Sequence, residues 1–351
     1  MIEHGRPPRF AIVGETLHTT RVVPRKGSRV TQLDDGTEGV RFRDETGETR
    51  YLTVPPWFRE TEAYARGQIK HVMIAVRKGL ADVPDERAEG AAYVRADARR
   101  QVAAGASFLD LNVDEVATDR DVQRAAMRWL VETVQAVASV PVSVDSSNAE
   151  ILREGLRAYD RRAGRPLVNS ASLERLDALE LAREHDAQVV VTAAGRASLP
   201  RDAAERVANV RELLGHADGI PLADLYVDPL VIPVSVDDQA GRQYLEAVRA
   251  IRQETGSEIH ITGGLSNISF GLPGRALVNE VFLALAIEAG IDSAIMDPAQ
   301  VHLDAALALD RSAEPYQLAR AMLLGEDEFC MGFIRAHREG RLVVAEATAR
   351  S

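Results

Sequence analysis

The residues best placed to do chemistry in this 351-residue chain are carboxylates and amides. They are Glu15, Asp110, Asn112, Asp145, Asn169, Asp228 and Asn267, with Ser266 beside the last. Each stands at or near the end of a short apolar run. Asp297-Pro298 repeats the pattern. Such a set suits a neutral, flat heterocycle with several hydrogen-bonding edges. A pterin offers an amino group and a ring N–H side by side, and one carboxylate accepts from both. Amides can meet the ring carbonyl and nitrogens. A charge-assisted bond of this kind is worth roughly 1.5–3 kcal/mol once desolvated. Taken singly, any of these residues also reads as a helix cap or turn-maker. Seven strand ends carrying one exceed what capping requires.

Other chemistries find no matching residues. The eight histidines are scattered, without the HExxH or HxxxH spacing of a zinc site. No GxSxG elbow occurs. No lysine ends a strand to form a Schiff base. Mg²⁺ on the carboxylates stays open as an alternative. The stretch Gly263–Pro273, GGLSNISFGLP, has the outline of a phosphate loop. It lacks the lysine and the glycine spacing that a phosphate needs.

These residues need a scaffold that brings strand ends together. Eight apolar runs are read as strands: Phe10–Glu15, Ser107–Val113, Val140–Asp145, Pro166–Ser170, Ala187–Thr192, Leu225–Val231, Ile259–Gly264 and Asp292–Asp297. Helical patterns separate them. Val122, Ala126, Trp129, Leu130, Val134 and Val137 mark one apolar face. Further helices are read from Asn148, over Ala203–Leu214 and over Asn279–Ala289. Alternation of this kind predicts a parallel α/β sheet. Eight units suit a (β/α)8 TIM barrel, whose chemistry collects at the C-terminal strand ends. A doubly wound sheet is the alternative, but Gly14-Glu-Thr-Leu-His-Thr19 is not a dinucleotide fingerprint.

Residues 22–86 interrupt the rhythm between the first strand and its helix. They read as a hairpin over Arg29–Leu33 and Glu38–Arg43, a strand over Thr49–Val54, and a helix carrying Ile69, Val72, Met73 and Val76 on one face. The readings of this insertion are an active-site lid, an oligomer contact or surface decoration.

Formal net charge is −11 and no basic cluster stands out, which argues against nucleic acid or an anionic membrane as partner. A single cysteine, Cys330, allows no internal disulfide and no cysteine metal site. The polar N-terminus MIEHGRPPRF has no apolar signal core, and no run reaches the ~18 apolar residues of a membrane span. A cytoplasmic location is expected.

Several stretches resemble one family. They are Leu109-Asp-Leu-Asn-Val113, Val144-Asp-Ser-Ser-Asn148, Val168-Asn-Ser170, Leu225-Tyr-Val-Asp-Pro-Leu230 and Gly264-Leu-Ser-Asn-Ile-Ser-Phe-Gly-Leu-Pro273. They look like the pterin-binding, dihydropteroate-synthase-like barrel of the methyltetrahydrofolate:corrinoid methyltransferases, including the folate module of cobalamin-dependent methionine synthase. The resemblance covers 9–21 and about 87–337 and implies one such barrel over 1–351, with 22–86 inserted. It implies that Asp145, Asn169 and Asp228 hold the pterin edge and that Asp110 and Asn112 line the floor. Ser266 and Glu15 complete the substrate-binding set. Asn267 would act near N5, with Arg275 and Asn279 supporting its loop. The reaction implied moves a methyl group between N5 of tetrahydrofolate and the cobalt of a corrinoid, in either direction. No DxHxxG corrinoid pattern occurs, so cobalamin would arrive on a partner protein. Relatives imply a homodimer.

The chain departs from the family in places. The first strand of relatives commonly ends Gly-Glu-Arg-Ile-Asn; this one reads Gly14-Glu-Thr-Leu-His18. His18 is either a satisfied rim histidine or a proton or substrate contact. Two alternatives to the methyltransferase stand. One is a dihydropteroate synthase, but its pyrophosphate needs a cationic loop where this chain has Asn112-Val-Asp-Glu-Val-Ala117. The other is a non-catalytic folate-binding protein.

Overall fold

The computed structural model describes residues 10–342. Residues 1–9 of the N-terminal stretch read above, with His4, lie outside the described residues, as does the chain after residue 342. All eight expected runs are strands: Ala11–His18, Phe108–Asn112, Val142–Asp145, Leu167–Ala171, Gln188–Thr192, Leu225–Asp228, His260–Ile261 and Ser293–Met296. The sheet runs in sequence order from the seventh strand back to the first, which neighbours the eighth. Gly264 bridges Ile295 in parallel, so the two ends of that order meet. A cyclic order without a switch point is that of a (β/α)8 barrel and excludes the doubly wound alternative. By contact density the chain forms two compact units, described in turn.

The first unit comprises Val13–Ser170 and Asp177–Val189. Its strands bury Leu17, Leu109, Leu111, Val142, Val144, Leu167 and Val168 almost completely. The helix after the second strand is Arg120–Gln135, started by Asp119, whose carboxylate accepts from the N–H groups of Asp121 and Val122. Its buried face carries Ala126, Met127, Leu130, Val131 and Val134 at helical spacing. Val122, expected on that face, is exposed, and Val137 lies beyond the helix end. Asn148 caps Ala149–Ala158 as expected, accepting from Glu150 N–H.

The insertion belongs to this unit. Val30–Gln32, Glu38–Arg43 and Thr49–Thr53 form a three-stranded antiparallel sheet. Val23–Pro24 pairs with Gln68–Ile69, so Ile69 is a strand residue rather than part of the expected helix face. The helix itself is His71–Gly79. Both pieces dock on helix Pro84–Ala103. Glu89 Oε1 accepts from Lys78 Nζ at 2.6 Å and from Thr53 N–H at 2.6 Å. Tyr93 lies between Arg29 Nη2 at 2.9 Å and His71 Nδ1 at 2.8 Å. Burial and the charges of Arg29, Arg21 and Arg100 push the His71 pKa down to about 3, so this imidazole is neutral.

The second unit holds the later strands and their helices: Ala203–Leu214, Ala240–Thr255 and Arg275–Ala289, then Glu314–Leu323 and Met331–Arg338. Asp202 caps the first of these through Glu205 N–H. Arg275–Ala289 starts four residues before the expected Asn279 and is apolar nearly all round, as befits a helix buried on most sides. Among the described residues no helix is long and apolar enough to cross a membrane.

Candidate functional site

The sheet register of the first unit sets four polar residues in one transverse row. His18 pairs with Asn112, Asn112 with Asp145, and Asp145 with Asn169. These are the last or near-last residues of the first four strands. Asp110 lies two residues before Asn112, so its side chain leaves the same face. The first strand reaches this row through a register shift between Gly14 and Leu17. The shift is anchored by helix Pro84–Ala103: Gln101 Oε1 accepts from Thr16 N–H at 3.3 Å, and the Thr16 hydroxyl bonds Asp97. The strand therefore ends at His18 and not at Glu15, where the apolar run stops.

The row is knit by hydrogen bonds. Asn112 Nδ2 donates to Asp145 Oδ2 at 3.0 Å. Asn169 Nδ2 lies 3.3 and 3.2 Å from the two oxygens of Asp110. His18 Nε2 lies 2.8 Å from Asp110 Oδ2 and 3.9 Å from Asp145 Oδ2. Asp110 is fully buried. Asp114, in the next loop, is spent on Ser146 and Ser147, accepting from both hydroxyls at 2.5 and 2.9 Å. His18, Asp110 and Asp145 bring one donor atom each within 4.8 Å of the others, the spacing the Mg²⁺ alternative requires. Both Asp110 oxygens and Asp145 Oδ2 are already engaged by the imidazole and the two amides, so the group reads as a hydrogen-bonded network.

Its electrostatics are uneven. Burial and the Asp110 charge raise Asp145 to about 7, against the pull of His18 and the Asn112 amide. Burial alone would lower His18. The Asp110 hydrogen bond and the charges of Asp110 and Asp145 outweigh that and hold the imidazole above its ordinary value, with Arg21 opposing. One imidazole thus bonds the buried Asp110 and stands 3.9 Å from the partly exposed Asp145.

In the second unit, Asp228 ends the sixth strand, buried, with Oδ1 accepting from Leu230 N–H at 2.8 Å. Burial raises its carboxyl to about 6; the Leu230 bond and Arg206 act the other way. Arg206 is fully buried, donating from Nε to the Pro229 carbonyl at 3.0 Å and from Nη1 to Gln243 at 3.2 Å. It fixes the backbone that follows Asp228. Asn267 lies in a 3-10 turn, Leu265–Ser269, with its side chain exposed. A β-carbon on Gly264 would come within 3.1 Å of the Asn267 amide nitrogen, so glycine there gives the amide its place. Arg275 ties the turn down, as expected: Nη2 donates to the Ser266 carbonyl and Nε to the Ser269 hydroxyl, both at 3.0 Å.

Asp110, Asn112, Asp145 and Asn169 are thus brought together, and His18 joins them. Asp228, Ser266 and Asn267 belong to the other unit. Glu15 is bound by Arg21 at 2.6 Å and stands within the register shift. Asp297 makes a turn, accepting from Ala299 N–H and Gln300 Nε2. Two supporting residues, Arg206 and Tyr244, are absent from the sequence-derived set. Both had a visible signal: each is a polar residue on an apolar stripe, Arg206 with Val210 and Leu213, Tyr244 with Val248 and Ile251.

A family profile described as pterin binding enzyme matches residues 85–297. The chain belongs to that family. It is 30% identical to a "Methylcorrinoid:tetrahydrofolate methyltransferase" of Eubacterium limosum over 73% of its length and 91% of that enzyme. It is 31% identical to "Methionine synthase" of Mycobacterium tuberculosis over 58% of its length and 18% of that protein. A dihydropteroate synthase from Xanthomonas albilineans in complex with 7,8-dihydropteroate is similar over 62% of this chain and 83% of its own, with TM-score 0.49 and 18% identity.

Proposed function

We propose that this pterin-binding enzyme transfers a methyl group between N5 of tetrahydrofolate and the cobalt of a corrinoid carried by a separate protein. The observation that carries the reading is the match to the methylcorrinoid:tetrahydrofolate methyltransferase, which spans 91% of that enzyme. In this reading Asp145, Asn112, Asn169 and Asp110 contribute to pterin binding, as do Asp228 and Ser266. Glu15 joins the same binding set, its carboxylate also holding Arg21. Asn267 is the catalytic residue. The protein works in the cytoplasm as a homodimer, and residues 22–86 form an inserted flap on one barrel.

An N-methyl group leaves a neutral amine poorly, because the nitrogen must carry the departing electron pair. N5 therefore needs positive character in the transition state. The exposed Asn267 amide can accept from a protonated N5 and, turned over, donate to the neutral amine. The loop after the second strand disfavours the dihydropteroate synthase alternative. It carries Asp114 and Glu115 and no arginine until Arg120, where a pyrophosphate leaving group needs cations.

The test is a spectrophotometric assay of cob(I)alamin with methyltetrahydrofolate, and of methylcobalamin with tetrahydrofolate. Enzyme-dependent loss or gain of the cob(I) spectrum is expected. Folate binding by calorimetry with no transfer in either direction would leave a folate-binding protein instead.

A further inference from the structure

We propose that His18 is a positioning residue: its charge keeps the Asp145 carboxylate ionised, and so able to accept from a pterin edge. The identity of the ligand rests on the function proposed above. The charge relationship does not.

The geometry is specific. Asp110 and Asp145 stand on adjacent strands, and His18 Nε2 is 2.8 Å from the first and 3.9 Å from the second. The other groups that face this cluster do not supply a second cation. Arg21 is held by Glu15 through a 2.6 Å ion pair and by the Glu15 carbonyl. Asp114 adds a further negative charge near Asp145. Asn112 and Asn169 are neutral donors. Asp145 is the member open to a ligand, its side chain 24% exposed against none for Asp110.

A carboxyl that binds the amino and ring N–H groups of a pterin must be deprotonated, since only the anion accepts both bonds. Between two acids in low dielectric, one proton tends to stay. A protonated His18 weakens that preference by stabilising both anions. The imidazole also links the site to pH, because the two carboxylates raise its midpoint above the ordinary histidine value. Ligand binding below the Asp145 midpoint then releases one proton from the carboxyl to solvent.

The experiment measures tetrahydrofolate binding by calorimetry from pH 6 to 9, for the wild type and His18→Gln. Glutamine keeps a hydrogen bond to Asp110 and removes the cation. Wild-type affinity is expected to be level above pH 7 and to fall by about tenfold per pH unit below it. His18→Gln is expected to bind about tenfold or more weakly at pH 7 and to approach the wild type by pH 9. Equal affinity at pH 7, or a loss of the same size at every pH, overturns the proposal. A second measurement needs no ligand: the His18 imidazole is titrated by NMR in the wild type and in Asp145→Asn. Its midpoint is expected to fall in the variant, and an unchanged midpoint overturns the coupling. A wild type that binds no tetrahydrofolate at any pH would sink the methyltransferase reading, and the imidazole titration would then decide the role of His18 by itself.

Discussion

Tyr244 donates its phenol hydrogen to the Thr262 carbonyl at 2.8 Å, and its oxygen then stands 2.5 Å from where a β-carbon on Gly263 would lie. Gly263 is therefore required by closeness and not by an unusual backbone angle. The tyrosine is fully buried, and the bond fixes the seventh strand just before the turn that carries Asn267.

Gly263→Ala is expected to cost about 1–3 kcal/mol, the usual penalty for overfilling a packed site. Removing the phenol oxygen as well should relieve most of it. A double-mutant cycle with Tyr244→Phe, read by chemical denaturation, checks this. Additive losses would show that the two positions do not meet.

Asn267 and Asp145 should separate catalysis from binding. Asn267→Ala is expected to slow methyl transfer by about 10²–10³-fold, the scale seen when one transition-state hydrogen-bonding group is lost. Its tetrahydrofolate affinity should change by less than about fivefold, because the side chain is exposed and anchors nothing else. Asp145→Ala should instead weaken binding by roughly 1.5–3 kcal/mol, the worth of a charge-assisted bond. Single-turnover rates with calorimetric affinities decide the matter. An unchanged transfer rate in Asn267→Ala would remove its assigned role.

What could be read from the sequence follows from the range of each interaction. Strand positions came through because apolar runs and helical spacing are local signals, and all eight runs are strands. Helix Ala203–Leu214 matches the expected bounds because Asp202 marks its start. The first strand was read three residues short because its register shift depends on Gln101, 85 positions from Thr16. The three further residues carry the strand to His18, beside Asn112. The polar row across four strands is likewise a matter of register, which no single run encodes. Ile69 has apolar neighbours at helical spacing, which predicts helix. Pairing with Val23 overrides that spacing.

Asp228 should make the protein less stable as pH rises. Its carboxyl titrates at about 6 when folded and near 3.9 when unfolded, so the folded state holds the proton more tightly. Stability is then lost between about pH 4 and pH 6 and is level above. Asp228→Asn keeps the acceptor for Leu230 N–H and removes the buried charge. It is expected to be about 1–3 kcal/mol more stable than the wild type at pH 7, and equal to it near pH 3. Denaturation across this range, read by circular dichroism, tests the sign. A variant less stable than the wild type at pH 7 would show that Arg206 makes the charge favourable.

The Lys78–Glu89 ion pair ties the insertion to helix Pro84–Ala103, and breaking it should be distinguishable from replacing it. Lys78 is almost wholly buried, bonded to Glu89 at 2.6 Å and to the Thr53 hydroxyl. Glu89→Ala leaves that ammonium uncompensated and also strips the acceptor from Thr53 N–H. A loss of roughly 3–5 kcal/mol is expected, concentrated in the strands Glu38–Arg43 and Thr49–Thr53. Lys78→Met with Glu89→Leu replaces the pair by apolar volume and should recover most of that loss, apart from the Thr53 bond. Hydrogen exchange of the Thr49–Thr53 amides reads the local effect directly. If Glu89→Ala speeds exchange no more in these strands than in Leu109 and Leu111, the ion pair does not hold the insertion in place.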